Sequence, residues 1–243
     1  MNATFGNIGT SSMLGLALLV GGTAVAGDTA PQLELAWSVD GISDEGALTG
    51  TGLGFGLYSY ASLTQGDGYE INWSFLVTDN GDSGGFEILA STLGVTNTSA
   101  SDSAFEIDVL LPVTLAPGIA FYGGSMGGSL TGGDDGGFLS NLGDTALWNA
   151  SVDGDLIATL GDAPFSFTTD PFDSTEVAEQ AFGAPIPSFE HAAAQESMSI
   201  GTDFLLGSGD TFAMTSNFVA QVPAPGVLAL LGLGGLARHR RRN

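Results

Sequence analysis

Residues 69–78 read Tyr-Glu-Ile-Asn-Trp-Ser-Phe-Leu-Val-Thr. Tyr69, Ile71, Trp73, Phe75 and Val77 alternate with Glu70, Asn72, Ser74 and Thr78. That is the period of an extended chain with one apolar and one wet face, and a helix cannot gather those five side chains on one side. The reading extends in both directions. Leu33, Leu35, Trp37 and Val39 alternate with Glu34, Ser38 and Asp40. Leu53, Phe55 and Leu57 alternate with Gly54 and Gly56 ahead of Tyr58 and Tyr60, and Phe105, Ile107, Val109 and Leu111 alternate with Glu106 and Asp108. Phe212, Met214 and Phe218 share a face opposite Thr211 and Thr215.

Turn residues separate these runs: Gly66-Asp67-Gly68, Asp79-Asn80-Gly81-Asp82 and Asp153-Gly154. Asp153-Gly154 lies between Trp148–Val152 and Asp155–Leu160 and predicts a two-residue type I′ hairpin. Short strands at this spacing predict an all-β, antiparallel fold of the sandwich or jelly-roll kind over residues 27–221. Two interruptions are expected to be helical. Asp173-Ser174-Thr175-Glu176 has capping-box spacing, which predicts a short helix over 174–182 stopped at Gly183. The Ala-rich stretch Glu190–Glu196 is the second candidate. The glycine tract Gly123–Gly137 reads as an edge loop.

Charge excludes several functions. The 243 residues carry 27 Asp+Glu against 4 Lys+Arg, and all four are arginines within the last six positions. Residues 1–237 therefore hold every acid and no Lys or Arg. Such a body cannot neutralise phosphates, so nucleic acid is excluded as a partner, as is an anionic membrane surface. It has no Arg–phosphate clamp and no P-loop lysine. With no Cys there is no disulfide, thiolate nucleophile or Cys-type zinc site. Glycine is abundant, at 38 residues, yet 43% of the chain is hydrophobic, so a folded body is expected.

Both ends carry processing signals. Met13–Val20 is a compact apolar core, and Ala24-Val25-Ala26 is a small-x-small site that places a signal-peptidase cut before Gly27. At the other end, Val222-Pro223-Ala224-Pro225 is a stiff, non-helical segment. Gly226–Ala237 is wholly apolar and expected to be helical, though shorter than the roughly 17–25 residues of a full span. Arg238, Arg240, Arg241 and Arg242 close the chain as a stop signal that stays cytoplasmic. Residues 1–26, 27–221 and 222–243 thus form leader, body and tail.

The tail resembles the PEP-CTERM sorting domain of Gram-negative bacteria, in a VPAPG variant similar to planctomycete tails, with Ala224 where the name-giving Glu would stand. The resemblance covers only the last 22 or so residues. It implies handling by an exosortase, a membrane cysteine protease-transpeptidase, after transient anchoring by the apolar helix. It also implies delivery to the cell surface or outside the cell, often beside extracellular polysaccharide. About the task of the body it implies little.

Within the body, candidate chemistry is sparse. His191 is its one imidazole and lies in no G-x-S-x-G elbow, so serine-type catalysis has no support. Calcium is the metal the acidic turns would suit best, through Asp79, Asp82 and Ser83, Asp134 and Asp135, or Asp153 and Asp155. No EF-hand spacing is present, and turn chemistry alone accounts for these residues, so no metal or other cofactor is assigned. Trp37, Trp73 and Trp148 could form a sugar platform, but two of them lie on apolar faces and are expected in the core. The expected function is that of an exported, acidic surface or matrix protein without catalysis. A calcium- or carbohydrate-binding adhesin module is the alternative, followed by a polysaccharide hydrolase using two carboxylates.

Overall fold

The computed structural model describes residues 29–79, 85–185 and 187–223, with the backbone alone for 85–91. The expectations on Ala24, Ala26, Gly27, Asp82, Ser83, Ala224, Pro225, the apolar helix of 226–237 and Arg238, Arg240, Arg241 and Arg242 lie outside the described residues.

Sixteen strands follow one another: β1 Gln32–Val39, β2 Ile42–Thr49, β3 Thr51–Gly54, β4 Leu57–Gly66, β5 Tyr69–Asp79, β6 Gly85–Asn97, β7 Ser103–Pro112 and β8 Ile119–Thr131. Then come β9 Gly137–Ser140, β10 Trp148–Val152, β11 Asp155–Leu160, β12 Ser166–Thr169, β13 Ser174–Phe182, β14 Phe189–Ala192, β15 Ser197–Leu206 and β16 Thr211–Gln221. They form two eight-stranded antiparallel sheets. Sheet A runs β11-β10-β15-β7-β1-β2, with β9 on the end of β15 and β12 on β9. Sheet B runs β13-β8-β16-β6-β5-β4-β3, with β14 on the other half of β8. The last two strands of the body thus sit inside the sheets: β15 between β10 and β7, β16 between β8 and β6.

The alternating residues of the sequence supply the space between the sheets. Leu33, Leu35, Ile71, Trp73, Phe75, Val77, Phe105, Ile107 and Val109 are all buried. Contacts across the two sheets are aromatic: the rings of Trp37 and Trp73 are 6.0 Å apart, those of Phe204 and Phe212 5.1 Å, and those of Trp148 and Phe218 6.5 Å. The result is a sandwich-like all-β body with one continuous core. All three tryptophans belong to that core, so none offers a sugar platform.

Three sequence expectations are corrected. Residues 174–182 form β13, and 189–192 form β14; there is no helix among the described residues. The Asp173 carboxylate accepts only from the adjacent Ser174 amide, at 2.8 Å, where a helix cap would reach the Glu176 amide, and the chain opens into a strand. The reason is β8. Without β13 and β14 its outer row of N–H and C=O groups would be unpaired, and one buried valine, Val177, is too little apolar surface to hold a helix instead. After β14 the chain stays extended: Ala193 and Ala194 are buried, and their amides donate to Gly118 O and to the Tyr122 hydroxyl. The third correction is the glycine tract, most of which is a strand flanked on both sides, not an edge loop. Glycine is needed there because aromatic rings from elsewhere fill the missing side-chain space. A Cβ on Gly124 would lie 2.7 Å from the Phe182 ring and 2.9 Å from the Trp148 ring.

The Asp153-Gly154 hairpin forms as the sequence predicts, with φ of 52° and 82°. At one end of the sandwich two buried polar residues tie loops together. Asn97 donates to Ser101 O and Leu206 O, and the carboxylate of Asp210 accepts from the amides of Gly133 and Phe138 at 2.9 and 2.8 Å. Backbone donors solvate that buried acid, in keeping with a body that contains no Lys or Arg.

Candidate functional site: the acidic face of sheet A

The outward positions of β1, β2, β7 and β15 bring acids together. In one row Glu106 of β7 stands between Ser38 of β1 and Asp203 of β15. In the next, Asp108 of β7 stands between Ala36 of β1 and Gly201 of β15, with Asn149 of β10 beyond Gly201 and Glu45 of β2 beyond Ala36. Directly opposed residues have Cβ atoms ~5 Å apart, so Glu106 and Asp203 are close neighbours of like charge. The absent side chain of Gly201 lets the Asn149 and Asp108 side chains lie over its backbone. A Cβ there would meet Asn149 Oδ1 at 2.5 Å and Asp108 Oδ1 at 2.8 Å. Asn149 Nδ2 lies 3.5 Å from Asp203 Oδ2, at the limit of a hydrogen bond.

Among the described residues no Lys or Arg offsets these charges, and the acidities of Asp203 and Asp108 shift upward. Burial, then the charges of Asp108 and Glu106, push the Asp203 carboxyl up to about 6. Burial and then Glu106 raise Asp108 as well. Next to this cluster, Gln32, Glu34, Ala36, Glu45, Ala47 and Asp108 line an open groove of about 550 Å³ along β1 and β2. Its lining mixes the carboxylates of Glu34, Glu45 and Asp108 with the apolar Leu35, Ala36, Ala47 and Leu110. Chemically, such a face can take up and release protons near pH 6 and attract cations, and Glu34, Glu45 and Asp108 are the acids on which a two-carboxylate hydrolysis would have to rest.

The metal candidates named from the sequence are not assembled into one site. Asp134 and Asp135 are exposed in the tight turn between Gly133 and Gly136, just beyond the end of β8. Asp79 ends β5 at the opposite end of sheet B, since Thr131, Thr211, Thr96 and Glu70 form one row and Asp79 lies nine positions further along β5. At about 3.3 Å per residue that separation is roughly 30 Å. Among the described residues no three His, Cys, Asp or Glu side chains are grouped to hold a metal ion. Among the same residues no helix is long and apolar enough to cross a membrane.

Asp153 has a different role. Its carboxylate accepts from three consecutive amides, those of Gln195, Glu196 and Ser197, at 2.7–3.1 Å. Burial opposes ionisation, but these amides and the nearby His191 outweigh it and hold the carboxyl below its usual range. His191 packs edge-on against Tyr122, with centroids 6.2 Å apart, and its Nδ1 lies 3.3 Å from the Ala192 carbonyl. The Tyr122 hydroxyl is committed to Ala192 O and the Ala194 amide.

Sequence reasoning put Glu106 and Asp108 on a wet face but missed Asp203 and Asn149. The signal that could have found them is the alternation of Ile200, Thr202 and Phe204 with Gly201 and Asp203, although only register reveals that Asp203 faces Glu106. No family model matches the chain, and no curated protein matches it.

Proposed function

We propose that the protein is an exported, acidic surface or extracellular-matrix component with a structural, non-catalytic role, sorted by an exosortase-like protease. One observation carries the reading: the sole Arg cluster of the chain, Arg238–Arg242, follows an apolar segment and a Val-Pro-Ala-Pro motif, behind a body whose 27 acids have no Lys or Arg beside them. What further supports it is the extent of the fold. The strands run from Gln32 to Gln221, so cuts at Ala26/Gly27 and within Val222–Pro225 would leave every strand intact. A sandwich whose Asp and Glu side chains have no Lys or Arg among them remains soluble at high local concentration, as a matrix component must.

The test is to determine both termini of the endogenous protein by mass spectrometry in membrane, surface and released fractions. A start at Gly27 and an end within Val222–Pro225, outside the membrane fraction, is the expected result. An intact Arg238–Arg242 in the membrane fraction would overturn the sorting reading.

A further inference from the structure

The end of sheet B from which the tail leaves carries exposed apolar side chains. Phe189 of β14, Tyr122 of β8, Ala220 of β16, Phe86 of β6 and Asp79 of β5 form one row there. The Asp79 amide donates to Gly56 O at 2.7 Å, so the β3–β4 turn joins that row. Val222 and Pro223 leave the body just past it. On one side of the exit stand Ile119, 57% exposed, and Phe189. On the other, three strands along, the β3–β4 tip presents Leu53 and a fully exposed Phe55. Gly54, Phe55 and Gly56 have successive positive φ values of 91°, 57° and 73°. That conformation is unfavourable for a residue with a large side chain, and the phenyl ring recovers nothing by packing on the body. At the opposite end the exposed Ile42 and Phe172 stand at opposite margins of the sandwich, on β2 and ahead of β13.

We infer that the tail end of sheet B is a membrane-seating surface: Leu53, Phe55 and Ile119 enter the headgroup region of a net-neutral bilayer while the tail is anchored in it. The inference rests on the anchor that the sorting reading assigns to the tail. The length of the tail selects the occupant. The twelve residues Gly226–Ala237, as a helix, cover ~18 Å of a hydrocarbon core ~30 Å thick. Val222–Pro225, fully extended, adds ~12 Å. Carrying Arg238–Arg242 to the far side therefore uses up the linker and draws Gln221 to the bilayer surface. Ile119 lies two positions beyond Phe121, the partner of Gln221, and so reaches about 7 Å further towards the lipid. Side chains that bind a membrane interface lie at that depth.

Charge selects the lipid. Acids also stand at this end: Asp79 beside the β3–β4 turn, Glu190 opposite Phe121, and Asp153 with Glu196 at the neighbouring hairpin. Anionic headgroups would repel them, and net-neutral headgroups do not.

The experiment is fluorescence quenching in the full chain, reconstituted into phosphatidylcholine vesicles whose acyl chains carry bromine. Trp37, Trp73 and Trp148 are buried and give a constant background. Phe55→Trp and Ile119→Trp should each lose emission, most to bromines nearest the headgroups. Ile42→Trp, at the opposite end, should keep its emission. Flotation with the vesicles reports the anchor separately. A chain that floats with emission at 55 and 119 unchanged overturns the inference and leaves the anchor standing. A chain that does not float removes the anchor, and the inference falls with it. Equal quenching at 55, 119 and 42 also overturns it, because the body then has no seated end.

Discussion

The two outer faces of the sandwich arise from the same period-2 pattern, yet the middle of one is lined with carboxylates and the middle of the other with hydroxyls, glycine and small apolar groups, its acids Glu176 and Glu179 lying on the outermost strand β13. The face of sheet A places Glu106 directly across from Asp203, and burial, then the charges of Asp108 and Glu106, push the Asp203 carboxyl up to about 6. The face of sheet B places threonine across from threonine and satisfies them mutually. The difference teaches that a body without Lys or Arg does not have to spread its charge evenly. Concentrating acids at the middle of one face costs stability locally.

The largest effect that could break this comparison concerns what lies beneath sheet B. Gly124 and Gly127 are three positions apart on β8, one facing the core and one facing out. Gly124→Ala pushes a methyl into Trp148, Phe182 and the Asn217 carbonyl and should cost about 3 kcal/mol. Gly127→Ala meets nothing closer than 3.5 Å, at Glu179, and should change stability by less than about 0.5 kcal/mol. Urea unfolding of the two variants checks this. Equal losses would mean that the outer face is not open.

A smaller, pH-dependent effect sharpens the contrast on sheet A. The folded protein holds a proton on Asp203 at pH values where the unfolded chain, with an ordinary carboxyl of 3.8, has released it. The stabilisation by that proton is complete below about pH 4 and is lost as pH rises through about 6. Asp203→Asn removes the loss. It should stabilise the protein at pH 7 by about 1 kcal/mol, after allowance for solvent screening of a partly exposed group, with no gain near pH 4. Thermal melts from pH 4 to 8 decide it, and a gain independent of pH would separate the effect from the acid cluster.

The smallest effect has the opposite sign. Asp153 is held below its usual range, so its contribution is present above that range and disappears as pH falls through its depressed value. Asp153→Asn keeps one acceptor oxygen and should cost less than about 1 kcal/mol at pH 7, and nothing in strong acid. Melting curves of this variant and of Asp203→Asn should converge on the native protein at the same acidic end, from opposite sides.

Much of the fold is legible in the sequence, and its limits have physical causes. The run from Tyr69 to Val77 announces a strand because its apolar residues repeat every second position, and Asp153-Gly154 announces a hairpin because both positions need positive φ. The glycine tract is illegible because a residue without a side chain carries no periodicity; what marks Gly124 as core is the pair of rings that fill its place, and those come from Trp148 and Phe182. The capping box at Asp173–Glu176 misleads because local preference is outweighed by the unpaired edge of β8. The acid cluster is half legible. Glu106 and Asp108 are neighbours in sequence, whereas Asp203 meets them only through the pairing of β7 with β15.

The position of the last two strands has a consequence in time. β15 and β16 are made last, yet each lies between strands made long before it: β7 and β10 in sheet A, β6 and β8 in sheet B. A chain that emerges amino-terminus first holds both sheets in separate halves until residues 197–221 arrive. The two sheets cannot be completed before that stretch of chain is in reach. Loss of a few residues upstream of Gln221 would divide sheet B, whereas a cut just beyond it would leave the finished body whole.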